Sequence, residues 1–216
     1  LEGVGAVGLD ASEVGFPPEL FVGAYDRARR LGLRAVAHAG EEGPPHYIWR
    51  ALDDLGVERV DHGVRCLEDP QLVERLRRER IPLTVCPLSN VALKVVDRLE
   101  DHPLPKMVDA GLFVTIHSDD PAYFGGSVGD NYAAVAKTFG WDLTRMAEPA
   151  ANSLAATFQA RGGARQPRSR LWPRILNPPS CPHALSGTPP ARSAWGTRWL
   201  RRPAARPDWR GTRWRI

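Results

Sequence analysis

Residues 33–63 read LRAVAHAGEEGPPHYIWRALDDLGVERVDHG, and the order of residue types in this stretch decides the fold. An apolar run at 33–37 stops at His38, Pro44 and Pro45 open a helical pattern, Gly56 closes it, and a second apolar run follows at 57–60. Proline is tolerated in a first helical turn, where its missing N–H would have had no partner, and glycine commonly ends a helix. Between these markers Ile48, Ala51, Leu52 and Leu55 fall at the three-to-four spacing that gives a helix one apolar face. Strand, helix and strand in so short a span make a βαβ unit, whose two strands run parallel.

The unit repeats in both directions. Further runs rich in Val, Leu and Ile lie at 4–9, 82–85 and 112–116. Pro17 and Pro18 open a helix that closes at Gly32, while Asp69 and Pro70 are the N-cap and first-turn residue of one that buries Leu72, Val73 and Leu76. Five strands alternating with four or five helices predict an α/β chain with a parallel sheet and right-handed crossovers. The period is that of a TIM (β/α)8 barrel, which needs about 250 residues, so residues 1–160 are expected to form a partial barrel of about five strand–helix units.

The net charge of +4 averages two unlike segments. Residues 1–160 carry 16 Lys and Arg against 24 Asp and Glu, whereas residues 161–216 carry 13 Arg, no Lys and only Asp208. The second segment holds nine prolines and five of the seven tryptophans and has neither apolar period, so it is not expected to fold alone. Three readings stay open for it: a basic arm for nucleic acid, a tail without a role, or an out-of-frame product of GC-rich DNA. A nucleic-acid partner is disfavoured, because the arginines are scattered among prolines rather than clustered. No window approaches the roughly 20 apolar residues of a membrane span, so no membrane partner is expected and the expected location is the cytoplasm. Cys66, Cys86 and Cys181 form no Cys-x-x-Cys pair, and Cys66 and Cys86 are expected to be small buried groups.

Polar residues collect where each apolar run ends: Asp10, Ser12 and Glu13, then His38 and Glu41, then His62, then Ser89 and Asn90, then Asp119 and Asp120. In a parallel barrel these ends share the face on which barrel enzymes build their sites. Taken singly, Glu41 reads as a solvated helix-start carboxylate, His62 as a buried structural histidine and Asp120 as a cap before Pro121. Five successive strand ends together point to a site instead. His and Asp can ligate a divalent ion, and a carboxylate three residues past a ligand can reach the ion's water, which is the layout of metal-assisted hydrolysis.

Three ordered motifs, His38-Ala39-Gly40-Glu41, Asp61-His62-Gly63 and Ser118-Asp119-Asp120-Pro121, resemble the adenosine and adenine deaminases of the amidohydrolase superfamily. The flanking residues 8–13, 39–45 and 119–126 resemble the adenine deaminase branch more than the nucleoside-acting branch. The resemblance covers about residues 1–160. It implies a TIM barrel of which these are the last five units, one zinc ion, and deamination of adenine, a small-molecule purine, to hypoxanthine and ammonia in purine salvage. It further implies that His38 and Asp119 are zinc ligands, Glu41 the proton shuttle to purine N1, and His62 the group that supports the attacking hydroxide. Asp120 would hold the base at N7. Adenosine deamination is the alternative within the family, and a noncatalytic nucleic-acid-binding product the alternative from another class.

The family pattern also has a His-x-His pair that supplies two further zinc ligands, and this sequence contains none. An N-terminal truncation removing about three strand–helix units would account for that, and little or no activity would follow. His46, His102, His117 and His183 sit at other places: His102 precedes Pro103, and His117 reads as a supporting or neutral substitution. Asn152-Ser153-Leu154 resembles the closing helix of the family, which Pro149 is expected to interrupt. Trp49 and Trp141 are expected to pack, and Phe124 is a candidate pocket wall.

Overall fold

The computed structural model describes residues 4–158, so the Arg/Pro/Trp-rich segment 161–216, with the three readings open for it, lies outside the described residues. Five strands, β1 (Ala6–Val7), β2 (Arg34–Ala39), β3 (Arg59–His62), β4 (Leu83–Val85) and β5 (Val114–Ile116), form one parallel sheet in the order β1-β2-β3-β4-β5. Sequential order is decisive. Right-handed crossovers that always step the same way put every helix on one face, which makes a segment of barrel wall, whereas a doubly wound sheet reverses its order midway.

The α-helices between the first four strands are α1 (Val22–Arg30), α2 (Pro45–Asp53) and α3 (Pro70–Glu79), and α4 (Pro87–Ala92) and α5 (Leu104–Asp109) connect β4 to β5. After β5 come the short α6 (Pro121–Phe124), α7 (Val128–Phe139) and α8 (Leu143–Ala155). The proline and glycine markers act as expected: Pro45 and Pro70 stand in first turns, and Gly32 and Gly56 follow α1 and α2 with left-handed backbones, φ +76° and +61°. The Asp69 carboxylate accepts hydrogen bonds from Gln71 N and Leu72 N, and its other oxygen takes the Trp49 indole N–H at 2.8 Å. Arg75 lies over the Trp49 ring, so this tryptophan fastens α2 to α3.

Alternate strand residues divide between two faces, as period 2 requires. Ala35, Ala37, Ala39, Val60, Leu83, Val85, Val114 and Ile116 join Ile48, Ala51, Leu55, Leu72 and Leu76 in one core beneath the helices. The opposite residues, His38, Arg59, Asp61 and Thr84, look the other way, into a cleft. The strands are shorter than the apolar runs, because a run also supplies the turn that leads into its strand. β2 and β3 extend further, however, and His38 and His62 lie within strands rather than after them.

Pro149 corrects an expectation. It sits inside α8 without ending it and is itself buried. Packing outweighs the missing N–H: α8 lies against β5, Asn152 Nδ2 donates to Val114 O at 3.0 Å, and Met146 and Ala147 are buried with the proline. Among the described residues no helix is long and apolar enough to cross a membrane.

Candidate active site

The cleft has a volume of about 380 Å³, and His38, Asp61, His62, Cys86, His117 and Asp119 are on its wall. His38 reaches it from β2 and lies opposite Asp61 of β3 in the sheet register. Its ring Nδ1 is 3.0 Å from Leu9 O, and since a carbonyl can only accept, the ring proton is on Nδ1. Asp10 Oδ1 at 3.3 Å and Asp61 Oδ2 at 3.9 Å lie on the same side. Nε2 is thereby left with its lone pair, the tautomer in which an imidazole can hold a metal.

Residues 40–43 form the loop that brings Glu41 back beside β3, and a residue without an assigned role holds it. Glu13 is 4% exposed, yet its carboxylate accepts three backbone N–H groups, from Gly40 at 2.8 Å, Glu41 at 2.9 Å and Gly43 at 2.8 Å. The two glycines are needed for this fit. A Cβ on Gly43 would strike Glu13 Oε2 and the Tyr47 ring, and one on Gly40, where φ is +76°, would strike Ile48. The sequence signal for Glu13 was its place after the first apolar run, but nothing local shows that it grips a loop 27 residues away.

Glu41 is buried against Asn90, whose Nδ2 donates to Oε1 at 2.7 Å, and against His62, whose Nδ1 is 3.3 Å from the same oxygen. These two groups are not an ion pair. Burial, reinforced by the negative charges of Glu13 and Asp119, pushes the Glu41 carboxyl up to about 8, while burial, with His38 adding to it, holds His62 down at about 4. Both shifts favour the neutral forms at pH 7, the usual direction where desolvation outweighs mutual attraction.

His62 ends β3 in a left-handed conformation, φ +62°, followed by Gly63 at φ +66°. This sharp exit turns the ring against His38, with centroids 4.7 Å apart, and leaves Nε2 3.9 Å from Asp119 Oδ2. Asp119 also has a left-handed backbone, φ +59°, and Ser89 Oγ donates to its Oδ2 at 2.6 Å. The next residue, Asp120, is exposed, and its side chain does not cap α6. Phe124 is half-buried.

His62, Cys86 and Asp119 place one potential ligand atom each within 4.8 Å of one another, as do Asp10, His38 and Asp61. Cys86 is buried as expected, and burial together with Asp119, Glu41 and Asp61 raises its pKa well above the ordinary thiol value, so it remains a thiol. His117, on the cleft wall, pairs its Nε2 with Thr115 Oγ1 at 2.8 Å. Cys66 is fully buried.

The neutral state of Glu41 can be read from stability. Its folded pKa lies above the unfolded value of 4.5, so the stability it contributes is complete below pH 4.5 and is lost as pH rises through about 8. Between pH 7 and 8 the loss should be on the order of 1 kcal/mol. Urea unfolding of the parent at pH 7 and pH 9 should show a fall that is smaller in Glu41→Gln, which is neutral throughout. Equal falls in the two proteins would mean that Glu41 is already ionised at pH 7.

A histidine with one nitrogen committed and the other free, a carboxylate beside it and a buried carboxyl with a raised pKa stand together at the ends of parallel strands, the edge on which barrel proteins build their sites. The family model described as Adenosine deaminase matches residues 2–171, and the chain belongs to that family. The adenine deaminase of Streptomyces coelicolor is 61% identical over 158 residues, 73% of this chain and 46% of that protein, and the one from Cupriavidus necator is 57% identical over 152 residues, 70% and 43%. Among solved structures, an adenine deaminase from Arthrobacter aurescens aligns with a TM-score of 0.71 at 54% identity, covering 72% of this chain and 48% of that one. An amidohydrolase from Burkholderia ambifaria with bound Zn aligns with a TM-score of 0.75 at 29% identity, covering 82% and 50%. The chain spans less than half the length of these curated relatives.

Proposed function

We propose that this chain carries part of the machinery for hydrolysing adenine to hypoxanthine and ammonia. The observation that carries the reading is Glu41, a buried carboxyl whose pKa burial pushes up to about 8, set 3.3 Å from His62 Nδ1, whose ring in turn lies 3.9 Å from Asp119. The likeness to adenine deaminases at 53–61% identity supports the choice of substrate.

In this reading Glu41 delivers its proton to ring nitrogen N1 as water adds at C6 and Asp119 takes one proton from that water; the C6–N6 bond then breaks, the amino group leaves as ammonia with the proton from Asp119, and the C6 hydroxyl proton returns to Glu41 as the carbonyl forms. His62 is neutral, and its Nε2 edge, facing Asp119, orients the attacking water. Asp120, exposed next to Asp119, holds the base at N7. Glu13 keeps the Glu41 loop in place while the proton moves.

The donor chemistry suits zinc, and the structure sets His38 and Asp119 in two neighbouring groups of convergent ligand atoms, one of Asp10, His38 and Asp61, the other of His62, Cys86 and Asp119. His38 offers Nε2 because Leu9 O takes the proton of Nδ1, and Asp119 is anchored through one oxygen by Ser89, which leaves Oδ1 without a hydrogen-bond partner among the described residues. Zinc held there would acidify and polarise the attacking water. Two protein ligands are fewer than the three that catalytic zinc sites use, so this chain alone should bind the ion weakly.

Ammonia release from adenine and from adenosine, with zinc present, tests the proposal. It should be measured on the chain itself and on the chain extended by strand–helix units that carry a His-x-His pair. The extended protein should act on adenine in preference to adenosine, and the unextended one should show little or no activity. Preference for adenosine, or no ammonia from either protein, would overturn the assignment, and equal activity of the two would remove the case for additional ligands.

A further inference from the structure

Asn90, in α4, is fully buried, and its side-chain amide lies between Glu41, His62 and His102. The direction of an amide and the tautomer of an imidazole follow from their partners, so a chain of such groups has no defined direction until one proton is fixed. Here a backbone amide fixes it. Leu104 N–H donates to His102 Nδ1 at 3.0 Å, which makes that nitrogen an acceptor. His102 is 3% exposed and neutral, burial holding its pKa down at about 4, so its proton is on Nε2, 3.0 Å from Asn90 Oδ1.

The rest follows in order. With Oδ1 taken by His102, the Asn90 NH2 faces the site and donates to Glu41 Oε1 at 2.7 Å, and its second N–H faces His62 Nδ1 at 3.4 Å. A Glu41 oxygen that accepts this short bond is a poor place for the carboxyl proton, which is left to Oε2. His62 Nδ1 faces that N–H and, at 3.3 Å, Glu41 Oε1, which carries no proton in this arrangement, so Asn90 is its donor; Nδ1 is then an acceptor and the His62 proton is on Nε2, the nitrogen that faces Asp119.

We propose that His102, acting through Asn90, is a positioning residue that selects the Glu41 oxygen carrying the transferable proton and sets the tautomer of His62. The proposal rests on the reading of Glu41 as the acid. His102 touches no reacting atom, and its place before Pro103 gives no hint of the role.

The test uses the whole chain labelled with 15N at histidine and asparagine and requires no turnover. In the parent, His102 should carry its proton on Nε2, and the Asn90 side-chain N–H groups should exchange slowly. His102→Leu should speed that exchange about tenfold, the scale of one lost hydrogen bond, and move the His62 Nδ1 resonance. His102→Gln, which returns an N–H donor near the Nε2 position, should restore both. A parent proton on Nδ1 of His102, or a leucine variant with Asn90 and His62 unchanged, overturns the proposal. If the leucine variant does not fold, the parent tautomer and the glutamine variant decide, and a glutamine variant without slow Asn90 exchange counts against it. The acid reading stands or falls separately, on the turnover of Glu41→Gln.

Discussion

Glu41→Gln is expected to lower kcat for adenine by about 10² to 10⁴ in the chain extended with a His-x-His pair, the usual contribution of general acid catalysis. The substitution keeps size and shape, and the amide oxygen can still accept from Asn90 Nδ2, so packing around the loop changes little. It removes the proton that the buried carboxyl retains at pH 7. Zinc content should stay the same, since Glu41 is not one of the proposed ligands, and KM should move less than kcat. Steady-state kinetics with metal analysis on one preparation checks both. Turnover within about threefold of the parent would dismiss Glu41 as the acid and make His62 the residue to reconsider.

His38→Ala should act differently, taking metal and turnover away together, because it removes a ligand rather than a proton donor. Zinc content should fall at least about tenfold to a hundredfold, the range seen when even a supporting partner of a ligand is lost. The fold should survive. His38 points into the cleft rather than into the core, and the ladder bond from its backbone N–H to Leu9 O at 2.8 Å does not depend on the side chain. Metal analysis and far-UV circular dichroism together decide the matter. Zinc retained with turnover lost would assign His38 to the chemistry instead of the metal.

Much of the fold was legible because its signals are local. Prolines at 45 and 70, glycines at 32 and 56 and the Asp69 cap mark their helices without help from the rest of the chain. The parallel order followed from spacing alone. Strand ends were less legible: His38 and His62 extend their strands because pairing with a neighbour, as between Ala39 and His62, continues past the last apolar residue. Pro149 misled for the opposite reason, since the packing that holds α8 on β5 is contributed by residues more than 30 positions away.

The polar residues of the site separate in the same way. His38, Glu41, His62, Asp119 and Asp120 stood out by their place after apolar runs and by their motifs. Asn90 stood out only as a polar strand-end residue. Glu13 and His102 had no assigned role, because each acts through bonds that exist only once distant segments meet, to residues 40–43 and to residue 90.

The left-handed backbones of His62 and Asp119 have a consequence for anyone who evolves this protein in the laboratory. Both positions hold a side chain where glycine or asparagine would be more comfortable, at a cost of about 1 to 3 kcal/mol each. Selection for heat resistance alone would therefore reward replacing the residues proposed to matter most. Libraries screened only for survival at high temperature should lose the proposed purine chemistry first at these two codons, and a sound campaign would hold both fixed and seek its gains on the outer helices.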